Sequence, residues 1–111
     1  MSITSDLIRG HTDTIILARL MTADSYGYEI NKTIMSLTNN RYELKEATLY
    51  TAFRRMERAH LIESYWGDEE TGARRRYYKI TPNGRQEYDK LIEDWCQAKV
   101  LIETLIQCRE E

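Results

Sequence analysis

Apolar residues recur every three or four positions over the first forty residues, which is the spacing of one helical face. This pattern predicts a helix that starts at Thr12 or Asp13, either of which suits a cap, and ends near Thr22. A second helix is expected over about Tyr26–Leu37, with an N-cap in the polar turn before it. The asparagine pair that begins at Asn39 ends it, because asparagine tolerates the left-handed conformation of a helix C-cap.

A third amphipathic helix is expected from about Lys45 to His60. Its inward face carries Leu49, Ala52, Phe53, Met56 and Ala59. Its outward face carries Thr48, Thr51, Arg54, Arg55 and Arg58. Hydroxyls near a helix N-terminus suit phosphates, and arginine forks suit guanine edges and phosphates. A merely solvated helix face is the alternative, and this helix alone does not decide between the two.

Two runs rich in aromatic and β-branched residues follow, Leu61–Trp66 and Arg74–Ile80, and they predict an antiparallel hairpin. Alternation places Tyr78 and Ile80 on one face, and Tyr77 on the other. The return strand begins with three arginines, Arg74, Arg75 and Arg76. Such a basic edge suits the minor groove of DNA or its flanking phosphates. It also suits neutralisation of the acidic turn, or protection of an exposed strand edge.

A long final helix is expected to start at Thr81 as N-cap, with Pro82 in the first helical position. It extends to about Cys108 and carries a heptad-like apolar seam. The seam consists of Tyr88, Leu91, Trp95, Ala98, Ile102 and Leu105. A domain of about 80 residues cannot cover so long a stripe, so the seam predicts a homodimer interface. The alternative is a helix that folds back on its own domain.

The predicted fold class is therefore mostly α with a small β-hairpin. Residues 1–81 form a winged helix-turn-helix and residues 82–111 form one long C-terminal dimerisation helix, as a single compact unit. A helix followed by a basic hairpin is the part of such a domain that enters DNA grooves. The net charge of −2 does not oppose this, because the basic surplus lies in residues 41–80 and the acidic surplus lies after them.

Composition removes several other classes. The content of 41% hydrophobic and 31% charged residues is typical of an ordinary globular protein. The apolar runs are too short to span a membrane. The N-terminus lacks the features of a signal peptide, so a cytoplasmic location is expected. Cys96 and Cys108 lie too far apart on one helix to form a disulfide bond. No metal site, cofactor site or catalytic constellation is recognisable, so an enzyme is not expected.

Five separated motifs carry a family resemblance. They are IRGHTDTIIL, DSYGYEI, LKEATLYTAFRRME, LIESYWG and RRRYYKIT, which begin at residues 8, 24, 44, 61 and 74. Together they resemble the PadR family of bacterial transcriptional regulators over almost the whole chain. The short C-terminal part is similar to the small PadR subfamily, and the EATLYT segment looks most similar to the lactococcal multidrug-resistance regulator.

The resemblance implies a homodimeric repressor that binds an inverted repeat in double-stranded DNA. The implied DNA contacts are Tyr26, Lys45, Thr48, Tyr50, Thr51, Arg54, Arg55, Arg74, Arg75 and Arg76. Tyr26 is equally plausible as a buried anchor, and Tyr50 lies between the inward and outward faces. The remaining alternative is a winged-helix protein-interaction module without specific DNA binding.

The resemblance also implies a pore at the dimer centre in which planar aromatic molecules stack on a tryptophan. The matching positions are Leu7, Thr14, Ala18, Leu91, Ile92, Trp95 and Lys99. From the sequence alone, Trp95 fits a core position as well. Lys99 departs from the multidrug regulator, which has an acidic residue there. A cation in the pore is expected to favour anionic or neutral planar ligands, such as phenolic acids, over cationic ones.

Overall fold

The computed structural model describes residues 3–67 and 74–106 of the chain. Five helices and one hairpin follow in the order α1 (Ile3–Arg9), α2 (Thr12–Thr22), α3 (Gly27–Leu37), α4 (Glu46–Arg58), β1 (Ile62–Trp66), β2 (Arg76–Ile80) and α5 (Pro82–Leu105). The predicted fold class, mostly α with a small hairpin, is confirmed. In the described residues, no helix is both long enough and apolar enough to cross a membrane.

The first helix, α1, was not predicted from the sequence. It is only seven residues long, so its apolar positions do not establish a period. The predicted caps of the next two helices are also wrong. His11 precedes α2 without a side-chain cap bond, and the hydroxyl of Thr12 donates to the Arg9 carbonyl at 2.7 Å instead. Tyr26 occupies the N-cap of α3, likewise without a side-chain cap bond.

The turn before α3 is extended because it pairs with the hairpin. The Ser25 amide donates to the Tyr78 carbonyl at 3.1 Å, and the Tyr78 amide donates to the Ser25 carbonyl at 2.7 Å. On its other edge β2 pairs antiparallel with β1, with Ile62 opposite Ile80 and Trp66 opposite Arg76. Strand β2 is therefore held on both edges, and this fixes the hairpin against the helices.

The core lies where α2, α3 and α4 meet the inner face of the hairpin. Its buried apolar side chains are Ile16, Leu17, Leu20, Ile30, Ile34, Leu44, Leu49, Ala52, Phe53, Met56, Ile62, Tyr78 and Ile80. Phe53 stacks on Tyr78 with 3.9 Å between ring centroids, which joins α4 to β2. Ala59, predicted to face inward, is exposed because α4 ends at Arg58 and the chain turns at His60 with φ 62°.

Helix ends elsewhere follow the predicted chemistry. Asn39 and Asn40 after α3 have φ of 53° and 62°, the left-handed conformation expected of them. Thr81 caps α5, because its hydroxyl accepts a hydrogen bond of 2.9 Å from the Gly84 amide, and Pro82 follows at the first position. The six residues 68–73, which contain most of the predicted acidic turn, and Cys108 lie outside the described part of the chain.

Helix α5 divides into two halves with different surroundings. Its first half packs on the chain's own domain, where Tyr88 and Leu91 are half-buried against the core. Its second half extends beyond the domain and exposes a series of large apolar side chains. They are Val100, Leu101, Ile102 and Leu105. The alternative of a helix folded back on its own domain therefore applies to the first half of α5, and the large apolar side chains of the second half stay exposed among the described residues.

Candidate nucleic-acid interface

The outward face of α4 is centred on a stripe at spacings of four, three and four residues. The stripe consists of Ala47, Thr51, Arg54 and Arg58, all exposed. Since a helix turns 100° per residue, Thr48 and Arg55 lie on the flank towards α1 and α2, and Tyr50 lies on the opposite flank. Arg58 was absent from the positions that the family resemblance implied, yet it belongs to this stripe.

The amino-terminal end of α4 is open for an anionic partner. Lys45 occupies its N-cap position in an extended conformation and makes no side-chain cap bond. The first amide groups of the helix therefore lack a side-chain acceptor, and they carry the positive end of the helix dipole. Farther along the helix, Arg54 Nη2 donates to Thr51 Oγ1 at 3.3 Å, which directs this guanidinium along the outward stripe.

Arg55 is in a different electrostatic state from its neighbour Arg54. Its guanidinium donates to the Asp13 carboxylate of α2 in an ion pair that joins the two helices. Arg55 also borders a groove of about 370 Å³ between α4 and the first two helices. The half-buried Thr48 also borders this groove.

The hairpin of β1 and β2, together with Arg74 and Arg75 just before β2, forms the wing of the domain. Its three arginines lie over aromatic rings. Arg74 and Arg76 lie over Trp66, with 5.5 and 5.6 Å from the guanidinium carbon to the ring centroid, and Arg75 lies over Tyr26 at 4.9 Å. Cation–π contacts of this kind keep the charges at the surface in set directions. Arg76 also donates to Ser64 at 2.8 Å and lies 3.8 Å from the Glu57 carboxylate.

The wing and the helices meet in a groove of about 340 Å³. It is bordered by Tyr26, Gly27, Tyr28, Tyr50, Arg74, Arg75 and Arg76. A neighbouring groove of about 420 Å³ joins the start of α3 to the start of α4, and its borders carry both basic and acidic side chains, Lys32, Lys45, Glu43 and Glu46. The tertiary structure thus places the start of α3, one flank of α4 and the wing arginines around one basic groove, which adjoins a second groove of mixed charge.

Two tyrosines of the DSYGYEI motif have different surroundings in this region. Tyr26 is half-buried, with its ring edge-on to Tyr77 at 5.2 Å and under Arg75. Tyr28 is 71% exposed at the first turn of α3 and borders both grooves. It was missed by sequence analysis, where the only available signal was its position two residues after Tyr26.

A second candidate site surrounds Trp95. The indole is 40% exposed and meets the His11 ring edge-on, with 4.9 Å between centroids. Of the other predicted pocket residues, Thr14, Ala18, Leu91 and Ile92 are half-buried, whereas Leu7 and Lys99 are exposed. Trp95 is therefore not a core residue. It lies where α5 leaves the domain, and the contact with His11 was not foreseen.

Known proteins share both the sequence pattern and the fold of this chain. The family described as "Transcriptional regulator PadR-like family" matches residues 16–90. A transcriptional regulator from Clostridium thermocellum is 49% identical, with a TM-score of 0.86 over 96% of this chain and 100% of that chain. A PadR family transcription regulator from hypervirulent Clostridium difficile is 34% identical, with a TM-score of 0.74 over 86% of this chain and 97% of that chain.

A similar protein from Lysinibacillus sphaericus, called "Uncharacterized protein X", is 44% identical over 103 residues, which are 93% of this chain and 94% of that protein. The family match covers more than half of the chain, and it includes α3, α4 and the described part of the hairpin. The chain belongs to the PadR-like family of transcriptional regulators.

Proposed function

We propose that this chain is a homodimeric repressor that binds an inverted-repeat operator. Each copy inserts the outward stripe of α4 into a major groove and lays its wing against the adjoining minor groove. The observation that carries the proposal is the arrangement around the basic groove. Tyr50 of α4, the start of α3 and the three wing arginines border one surface, which matches a DNA backbone between two grooves.

Each element has a distinct task in this proposal. Arg54 and Thr51 on the stripe contact base edges, and Arg58 extends the same stripe by one turn. The amide groups at the start of α3, together with Tyr28 and Lys45, contact phosphates. Arg74 and Arg75 enter or flank the minor groove from their positions on Trp66 and Tyr26.

Dimerisation is proposed through the second half of α5. This half exposes Leu101 by 61%, Ile102 by 50% and Leu105 by 80%, and the described part of the chain offers them no cover. A two-fold pairing of these faces removes the apolar surface from water and presents two α4 helices. Successive major grooves lie about 34 Å apart, so the pairing must hold the two helices at that separation.

Relief of repression by a planar aromatic molecule is proposed at the Trp95 site. The half-exposed indole offers a face for stacking, and Lys99 adds a positive charge nearby, so anionic or neutral aromatic ligands are favoured. In this proposal α2 contributes Thr14 and Ala18 to the site, and α2 packs against both α5 and α4. A ligand that shifts α2 or α5 therefore alters the spacing of the two α4 helices.

The experiment that tests DNA binding is an anisotropy titration with the DNA upstream of the protein's own coding sequence. Arg54→Ala combined with Arg75→Ala is expected to lower operator affinity at least about a hundredfold, since each direct contact to a base or phosphate is lost. The matched control is Arg85→Ala with Lys90→Ala, which removes two exposed charges from α5. Binding to duplex that is no tighter than binding to heparin overturns the proposal and favours a protein-interaction module.

A further inference from the structure

The ion pair between Asp13 and Arg55 is placed to affect DNA recognition. It connects α2 to α4 across 42 positions of the chain. The Asp13 side chain is 35% exposed and the Arg55 side chain is 52% exposed, so both groups remain accessible to a DNA backbone. The pair therefore lies at the border of the proposed interface and not in the core.

The consecutive residues Arg54 and Arg55 of α4 therefore differ in the charge of their partners. Arg54 has the neutral hydroxyl of Thr51 as its partner, and its full charge is directed outward. Arg55 faces a carboxylate that compensates its charge. A guanidinium that is already paired with a carboxylate gains less binding free energy from a phosphate, because it must give up or share its existing partner.

A carboxylate partner also sets a direction for the guanidinium. The planar fork of arginine has five N–H donors in a fixed geometry, so donors engaged with Asp13 leave the others aimed along one line. Arg55 itself borders the groove that contains Thr48 and Thr51, so an ordered guanidinium there meets whatever the groove receives. A base edge or phosphate at the matching position in the operator meets an ordered group, while a phosphate elsewhere does not.

We infer that Asp13 determines specificity by holding Arg55 out of non-specific phosphate contacts while orienting it for the operator. This inference rests on the proposed function, since it requires α4 to bind DNA. Phosphates are the same in every sequence, so the compensation by Asp13 opposes all non-specific complexes alike. Only in the operator complex does α4 sit in one fixed register, so only there does the set direction of the Arg55 guanidinium improve binding.

The test is Asp13→Asn, measured by anisotropy with operator and scrambled duplexes of equal length over a range of salt concentrations. Freed Arg55 is expected to contact one further phosphate in non-specific complexes. The slope of log K against log salt for scrambled duplex then becomes steeper by about 0.9, and affinity at low salt rises about fivefold. Operator affinity rises less or falls, so the ratio of specific to non-specific affinity decreases.

Two controls separate this role from a general charge effect. Asp89→Asn removes an exposed carboxylate from α5, outside the proposed DNA interface, and it is expected to leave the ratio of affinities unchanged. Combining Asp13→Asn with Arg55→Gln is expected to abolish the steeper slope. A slope that stays steep without the Arg55 guanidinium assigns the effect to charge alone and overturns the inference.

The remaining outcomes are also decisive. If the Asp13→Asn variant unfolds at a lower temperature than the wild type, the Asp13→Ser variant takes its place in the test. Serine removes the same carboxylate and suits the first turn of a helix. Wild-type protein that binds no duplex overturns the proposed function together with this inference. Wild-type protein that binds its operator while both Asp13 variants keep the wild-type slope and affinity ratio overturns the inference alone.

Discussion

The Tyr65 hydroxyl of β1 donates a hydrogen bond of 2.6 Å to the Asp24 carboxylate in the turn between α2 and α3. The Tyr65 ring also stacks on Tyr77 of β2, with 5.6 Å between centroids and 11° between planes. Tyr77 in turn contacts the Tyr26 ring edge-on. Together with the Ser25–Tyr78 backbone pairing, these contacts set the angle of the wing relative to α3.

The first prediction concerns the ionisation of Tyr65. The hydrogen bond to Asp24, followed by desolvation and the charge of Asp24, raises the pKa of Tyr65 from its usual value near 10 to about 12. A folded-state pKa raised above the unfolded value stabilises the fold below about pH 10, and this contribution is lost between about pH 10 and 12. Titration followed by ¹³Cζ NMR of labelled tyrosines is expected to show this midpoint, and Asp24→Asn is expected to lower it. A Tyr65 midpoint near 10 in the wild type contradicts the assignment.

The second prediction concerns the close approach of α5 to the hairpin at Gly84. A Cβ atom there would overlap the Leu61 carbonyl oxygen and lie 2.7 Å from Ile80 Cγ1. Gly84→Ala is therefore expected to lower the free energy of unfolding by about 1–3 kcal/mol, despite alanine's better helix propensity. Gly10→Ala is the control, since a Cβ there meets only the Leu7 carbonyl oxygen, at 3.5 Å. Urea unfolding measures both, and equal stabilities of the two variants contradict the packing argument.

The third prediction concerns the seam of α5. Ile102→Glu places a charge on the exposed apolar face and is expected to convert the proposed dimer to a monomer, because an unpaired charge cannot be buried in such an interface. Val100→Glu is the matched control, since Val100 is similarly exposed, by 59%, but lies about 200° around the helix from Ile102. Sedimentation velocity distinguishes the two states. Dimerisation through this seam is refuted if Ile102→Glu sediments as the wild type does.

The fourth prediction concerns the ligand preference at Trp95. An anionic planar aromatic acid is expected to bind in isothermal calorimetry, and Trp95→Ala is expected to weaken that binding at least about tenfold through the loss of stacking area. Lys99→Glu is expected to shift the preference towards cationic planar dyes. The control is Lys90→Glu, which makes the same charge change at an exposed position outside the predicted pocket. Tight binding of cationic dyes to the wild type, without binding of aromatic acids, contradicts this ligand class.

Local signals account for the elements that sequence analysis predicted correctly. The 3.6-residue period places helices α2 to α5, and the Thr81-Pro82 start of α5 is set by chemistry within four residues. Alternation in β2 assigns Tyr78 and Ile80 to the core side of the hairpin. The predicted side-chain cap failed at α2 because the Thr12 hydroxyl donates to the nearby Arg9 carbonyl instead. It failed at α3 because the pairing of Ser25 with Tyr78, 53 positions later, overrides a local preference.

The amino-acid sequence by itself thus determined the fold class, the order of the elements after α1 and the basic character of α4 and the wing. Those properties depend on the spacing of apolar residues and on local composition, and both can be seen in short stretches of neighbouring residues. The tertiary structure alone decided which arginines share a groove, that Arg55 is bound by Asp13, and where α5 leaves the core. Those relationships join residues tens of positions apart, and no local pattern of the chain encodes the distance between them.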